Sequence, residues 1–142
     1  MGRIVAAALL SATLAGCVTA KERHLDDGYQ LLANEEIRQL HAGKTHQVEL
    51  ASGRTATAFF HEDGRSTFKR SDRVAEQGKW EVRGERICFV YPDIPATKDN
   101  CHTVAERNGQ YILFKEYSGR SGNVSAKVLS ISLGNTQGLP LD

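Results

Sequence analysis

Several things are scarce in this chain, and each scarcity narrows what it can be. One methionine, one tryptophan and three prolines occur in 142 residues. Charge of either sign is not in surplus, with 18 basic against 17 acidic side chains and a formal net charge of +1. A nucleic-acid-binding domain carries a clear basic excess on one face, so nucleic acid is excluded as a partner. The five histidines, His24, His41, His46, His61 and His102, form no zinc spacing of the His-Glu-x-x-His kind. His61 and His102 fall on strands and could meet only through the fold; no metal and no cofactor is expected. There is no Cys-x-x-Cys pair, the usual mark of a dithiol redox site. Gly119-Arg120-Ser121-Gly122-Asn123 approaches a nucleophile elbow but has Asn123 where the last glycine is required. No carboxylate pair stands out from a solvated face, so acid/base catalysis is not indicated either. The chain is not expected to be an enzyme.

What is present is a soluble composition, 40% hydrophobic and 25% charged, of a length that suits one domain. The three cysteines divide into one plus two. Cys17 closes an N-terminal apolar segment, whereas Cys88 and Cys101 lie in the body. Arg3 supplies a short positive start, and residues 4–14 are almost wholly apolar. As a helix that segment spans roughly 16 Å, about half a bilayer core, so it reads as a signal peptide over residues 1–16. Leu14-Ala15-Gly16-Cys17 resembles the lipobox of bacterial lipoproteins, which implies cleavage before Cys17 and acylation of its thiol. Several acyl chains make a durable membrane anchor. Val18, with no aspartate after the cysteine, implies the outer membrane, facing the periplasm. In that oxidising compartment Cys88 and Cys101 are expected to form a structural disulfide.

Residues 17–30 read as the lipidated cysteine and a polar tether, with His24 solvated. The single domain follows over residues 31–142. Residues 34–43 read as a short helix. Asn34 is its expected N-cap, Glu35 and Glu36 complement the dipole, and Gly43 closes it. Ile37 and Leu40 should dock it on a sheet, leaving His41 near solvent. Two-residue periodicity then takes over. Strands are expected at 45–51, 54–62, 65–70, 79–83, 86–91, 101–107, 110–117 and 124–133. Asp63-Gly64 and Asn108-Gly109 supply tight hairpin turns. Trp80 and Val82 should point inward, and Ile87, Phe89 and Tyr91 should share one face against Cys88 and Val90. Leu129, Ile131 and Leu133 should form another. The predicted fold is mainly β: an antiparallel up-and-down meander of about eight strands, barrel-like, with a two-sheet sandwich as the alternative.

Phe60, Trp80, Phe89, Tyr91 and Phe114 are the candidate core, or the lining of a pocket. Arg65, Lys69, Arg70 and Arg73 form a basic run, read as a solvated edge or a contact for anionic headgroups. Gly43-Lys44-Thr45, Phe60-His61-Glu62-Asp63-Gly64, Gly78-Lys79-Trp80-Glu81-Val82, Ile87-Cys88-Phe89, Cys101 and Gly134-Asn135 follow a recurring pattern. In these motifs the body resembles a family of small exported alphaproteobacterial lipoproteins known as a domain of unknown function. That resemblance implies a fold and a compartment and brings no catalytic residues. A weaker likeness, through Gly-x-Trp and a nearby disulfide, is to periplasmic β-barrel protease inhibitors and lipocalins, whose tryptophan lies near the start of the barrel. The expected role is a non-catalytic binding or structural module of the cell envelope. An inhibitor of an envelope hydrolase and a carrier of a small apolar ligand are the alternatives. Partners are therefore the membrane, through the lipid, and an envelope protein or small apolar molecule. A Cys17→Ser variant is expected to lose radioactive palmitate labelling and membrane association; unchanged labelling would rule out the anchor.

Overall fold

A computed structural model of the chain describes residues 16–92, 100–116 and 121–141. Most of the expected signal segment, the connection 93–99 and residues 117–120, which include the first two residues of the elbow-like stretch, lie outside the described residues. The elements are α1 (Ala20–Asp26), β1 (Gln30–Leu31) and α2 (Asn34–His41), then β2 (Lys44–Leu50), β3 (Thr55–Phe60), β4 (Arg65–Arg70), β5 (Glu76–Arg83), β6 (Arg86–Val90), β7 (Asn100–Arg107), β8 (Gln110–Lys115) and β9 (Val124–Leu133). From β2 to β9 each strand pairs antiparallel with the next, and β9 pairs back with β2. The result is a closed eight-stranded up-and-down barrel, not a sandwich. The short β1 pairs with β7 at Glu106 and Ala105, beyond where β6 ends at His102.

Register sorts the side chains as the two-residue alternation requires. Trp80 stands opposite Phe89 and Val82 opposite Ile87. Ala58 faces Phe68, Val104 faces Leu113, and Leu113 faces Ala126, all on the inner face. Cys88 and Cys101 are direct partners on the outer face and form the expected disulfide, with Cα atoms 4.0 Å apart. Asn108 and Gly109 both take the positive φ of a two-residue type I′ turn, whereas the expected two-residue turn at Asp63-Gly64 is a three-residue loop, Glu62 to Gly64, closed by the His61–Arg65 pair.

The expected Leu129, Ile131, Leu133 face does not survive. Gln47 pairs with Ser130 but Val48 with Val128, so Leu129 is an extra residue on a bulge. Leu129 and Leu133 are exposed. A second irregularity pairs Leu113 with Ala126 but Phe114 with Val124, leaving Ser125 extra.

The helix α2 lies across one end of the barrel rather than on a face. Ile37 is fully buried there against Ala58, Phe60, Trp80, Ile87, Val104 and Leu113. Its cap also differs from expectation. Ala33 precedes the helix and donates its N–H to Glu36 at 2.7 Å, while Asn34 Nδ2 donates to the Gly84 carbonyl at 2.6 Å.

Two segments cover the outside. Residues expected as tether form α1, because Thr19 and Glu22 make a reciprocal capping box and Leu25 and Tyr29 find apolar partners in Ala105, Ile112 and Phe114. His24 joins them, its ring edge-on to Tyr29 and Phe114. On the far side the tail crosses β2 to β4. Thr45 donates to Gly134, Thr67 to Pro140 and Arg65 to Leu141, and Leu139 is buried. Strands β7 and β8 are therefore buried on both faces, whereas the tail covers β2 to β4 only around Thr45, Phe59 and Thr67.

Gly78 is the tightest point of the wall. A Cβ built there would lie 2.2 Å from the Val90 carbonyl oxygen and 2.5 Å from the Tyr91 ring, so only glycine lets the Tyr91 ring lie over β5. The disulfide closes a loop whose ends are 13 residues apart. Replacing both Cys88 and Cys101 by alanine is expected to lower unfolding free energy by about 3 kcal/mol in non-reducing urea titrations. A loss well below 1 kcal/mol would show that barrel closure alone holds β6 to β7.

Candidate functional site

Above the α2 plug the barrel is not filled. A partly open cavity of about 190 Å³ remains between the inner faces. Its deep end is formed by His41, His46 and Phe60, all buried, and its middle by Ala58, Phe68, Phe89, His102 and Leu113. The other end is formed by Leu50, Tyr91, Asn100, Ser125 and Ala126. Leu50, Asn100 and Ser125 are only half-buried, so among the described residues the cavity is open at the end away from α2. Ser125 is the extra residue of the second bulge, which aims it at the cavity.

Of the aromatic residues singled out from sequence, Phe60, Phe89 and Tyr91 line this space. Trp80 stands behind Phe60, their centroids 5.7 Å apart, and helps seal the closed end. Its Nε1 donates to the His61 carbonyl at 2.8 Å. Phe114 is on the outer face under α1 and takes no part, because β8 alternates and Leu113 holds the inner position. Cys17 is exposed and lies apart from the lining.

Three histidines line the cavity, and sequence reasoning missed two of them. His41 was expected near solvent but is buried. Its position is legible afterwards: with Ile37 and Leu40 it completes an i, i+3, i+4 face. His46 alternates with Val48 and Leu50 along β2. His102 is opposite Ile87, one residue from the outward disulfide. His61, paired with Asp63 in the β3–β4 turn, does not join His102.

Hydrogen bonding defines the imidazoles. A carbonyl can only accept, so His41 Nδ1 donates to the Ile37 carbonyl at 2.8 Å and His46 Nε2 donates to the Leu40 carbonyl at 2.9 Å. The second ring nitrogen of each is then an acceptor. The two rings stack with centroids 4.6 Å apart, and both meet Phe60 edge-on. His102 Nε2 is 2.6 Å from Asn100 Oδ1.

Burial keeps all three neutral. Desolvation, then the nearby His46, drive His41 well below the usual imidazole range, against the hydrogen bond to Ile37. Desolvation pushes His46 down to about 4, with Lys44 adding to it and the Leu40 carbonyl opposing. His102 is likewise pushed down to about 4, by desolvation and then Lys115, against Glu116. Tyr91, which accepts a hydrogen bond from Ser66 Oγ at 3.1 Å, is pushed up to about 12, chiefly by desolvation. At neutral pH the cavity presents aromatic walls and uncharged polar groups.

Among the described residues no group of three or more His, Cys, Asp or Glu is clustered as a metal site requires. Within the basic run, Arg65 binds Asp63 and the Leu141 carbonyl, and Arg70 binds Asp72. Strand β4 is not an edge, since β3 and β5 flank it. The chain matches no protein-family model, no curated protein and no solved structure.

Acid should destabilise the protein through this cluster. Unfolded imidazoles take up a proton near pH 6.5, whereas His46 and His102 resist protonation to about 4. The unfolded chain therefore binds more protons in that window, and stability falls as pH falls through it. Unfolding free energies from urea titrations at pH 7 and pH 5 should differ by about 2 kcal/mol for each of His46 and His102. A His46→Gln/His102→Gln variant should remove most of that slope; an unchanged slope would mean other groups carry it.

Proposed function

We propose that this chain is a lipid-anchored protein of the cell envelope that binds a small, mainly apolar molecule inside its barrel. One observation carries the ligand reading: a partly open cavity of about 190 Å³ with aromatic walls in a fold that otherwise fills its interior with side chains. Engineered apolar cavities of about 150 Å³ take up benzene, so the space suits a ring or a short alkyl segment. The neutral His41 and His46 acceptors at the closed end favour a ligand with at most a hydroxyl or amide-type donor at its leading end. A charged head would meet no counter-charge there. Envelope localisation is supported by the segment ending in Leu14-Ala15-Gly16-Cys17, by the Cys88–Cys101 disulfide and by the family resemblance.

Ala58 and Ala126 border the space and are both nearly buried. In the Ala58→Val/Ala126→Leu variant the added methyl groups should occupy it. Titration with a water-soluble naphthalene fluorophore should show one site per chain, weakened about tenfold or more in that variant while its urea midpoint is kept. Equal affinity in the two proteins would move binding out of the barrel.

A further inference from the structure

The open end of the cavity and the start of the described chain lie at the same end of the barrel. The chain reaches α1 through Thr19, and Thr19 is pressed against Gly122 in the β8–β9 connection. A Cβ on Gly122 would fall 2.8 Å from Thr19 Cβ, and Gly122 also takes a φ of +82°. Lys21 N donates to the Gly122 carbonyl at 2.9 Å, and the Lys21 ammonium binds Glu116, which also accepts from Thr103 at 2.8 Å. Cys17 precedes this clamp by two residues, a reach of at most about 7 Å. Ser125, on the cavity rim, follows Gly122 by three residues, about 10 Å of strand. Thus residue 17 is held beside the opening, and α2 closes the end farthest from it.

The same end carries surface that suits a bilayer interface. Val18 is exposed next to Cys17, and Val74, beside Arg73 in the β4–β5 connection, is 82% exposed. Leu133 is equally bare at the opposite end, so exposure alone does not orient the barrel. The docking of Thr19 and Lys21 does.

The geometry points to a barrel mounted with its opening against the membrane, so that the cavity takes up the terminal carbons of an acyl chain. This rests on the lipid-anchored, ligand-binding reading above and names the ligand class. An acyl terminus is apolar, narrow enough for the aromatic walls, and asks nothing of the neutral histidines at the closed end. Two sources supply that chain end once it leaves the bilayer core: a lipid of the adjoining leaflet and the acyl group on Cys17 itself.

The test uses the full lipidated protein in vesicles of phosphatidylethanolamine and phosphatidylglycerol. In one arm the phosphatidylglycerol carries a diazirine at its acyl terminus. In the other, the vesicles are plain and the protein comes from cells fed the diazirine fatty acid, so that only its own anchor is labelled. After irradiation, peptide mapping should place adducts on Phe68, Phe89 or Leu113, and the arm that gives them identifies the source. The Ala58→Val/Ala126→Leu variant should lose them about tenfold. A flexible Gly/Ser insert of about 20 residues between Val18 and Thr19 should also reduce them severalfold, while the unacylated form of the variant binds naphthalene as the unacylated wild type does. Adducts confined to outer residues such as Val18 and Val74, or indifferent to the insert, would overturn the mounting and leave the ligand reading standing. No naphthalene binding by the unacylated wild-type protein would remove the ligand reading itself. Protein recovered without acyl groups on Cys17 would overturn the proposal at the outset.

Discussion

The stopper at one end of the barrel is the constraint on which the rest depends. Closing eight strands on themselves abolishes sheet edges but leaves two ends, and an apolar interior open at both would flood. Here Ile37 enters from α2 and meets Phe60, Trp80 and Ile87. The surrounding backbone is sewn together at that level. Gly43 N donates to Phe60, Gly134 N to Gly43, and Trp80 N to Gly64, at 2.7, 2.7 and 2.8 Å. The Trp80 indole adds its bond to His61. Glycine, phenylalanine and tryptophan positions far apart in sequence thus share one task, to fix a rigid floor. The cavity is the space left above it.

This explains what sequence reading could and could not reach. Alternation on β5 and β6 placed Trp80, Val82, Ile87 and Phe89 correctly, because a closed sheet with one buried face enforces the two-residue period. The disulfide was legible once its compartment was inferred. The helix over residues 34–41 was legible too, but its docking was not, since an apolar face does not reveal whether it meets a sheet or a barrel end. Helix α1 was hidden by its polarity. Its capping box, Thr19 to Glu22, was readable and outweighed by the charges around it. The bulge at Leu129 left no mark in the pattern, and the apparent Leu129, Ile131, Leu133 face dissolved with it.

The histidines show a different limit. Buried imidazoles are tolerated where their N–H groups find acceptors, and the last turn of a helix supplies carbonyls that lack partners within it. His46 answers Leu40 in this way. The pair therefore helps finish α2 while leaving one acceptor nitrogen on each buried ring. A single sequence shows none of this, because the partners lie on a helix and a strand whose meeting depends on the plug. The outcome is polarity without charge at the closed end of an otherwise apolar space.

The inner and outer layers of the barrel are coupled through β7 and β8. Val104 and Leu113 face inward, toward the core and the cavity, while Ala105, Ile112 and Phe114 on the same strands carry α1. The Thr19–Gly122 contact then ties α1 to the end where β9 begins. Any pull on the chain before Thr19 is passed first to this helix and to the two strands beneath it, not to a loose linker. Because those strands are buried on both faces, they resist bending, and the cavity wall keeps its position relative to residue 17. A fixed relation between the chain's point of entry and the opening is thus a direct consequence of packing both faces of two adjacent strands.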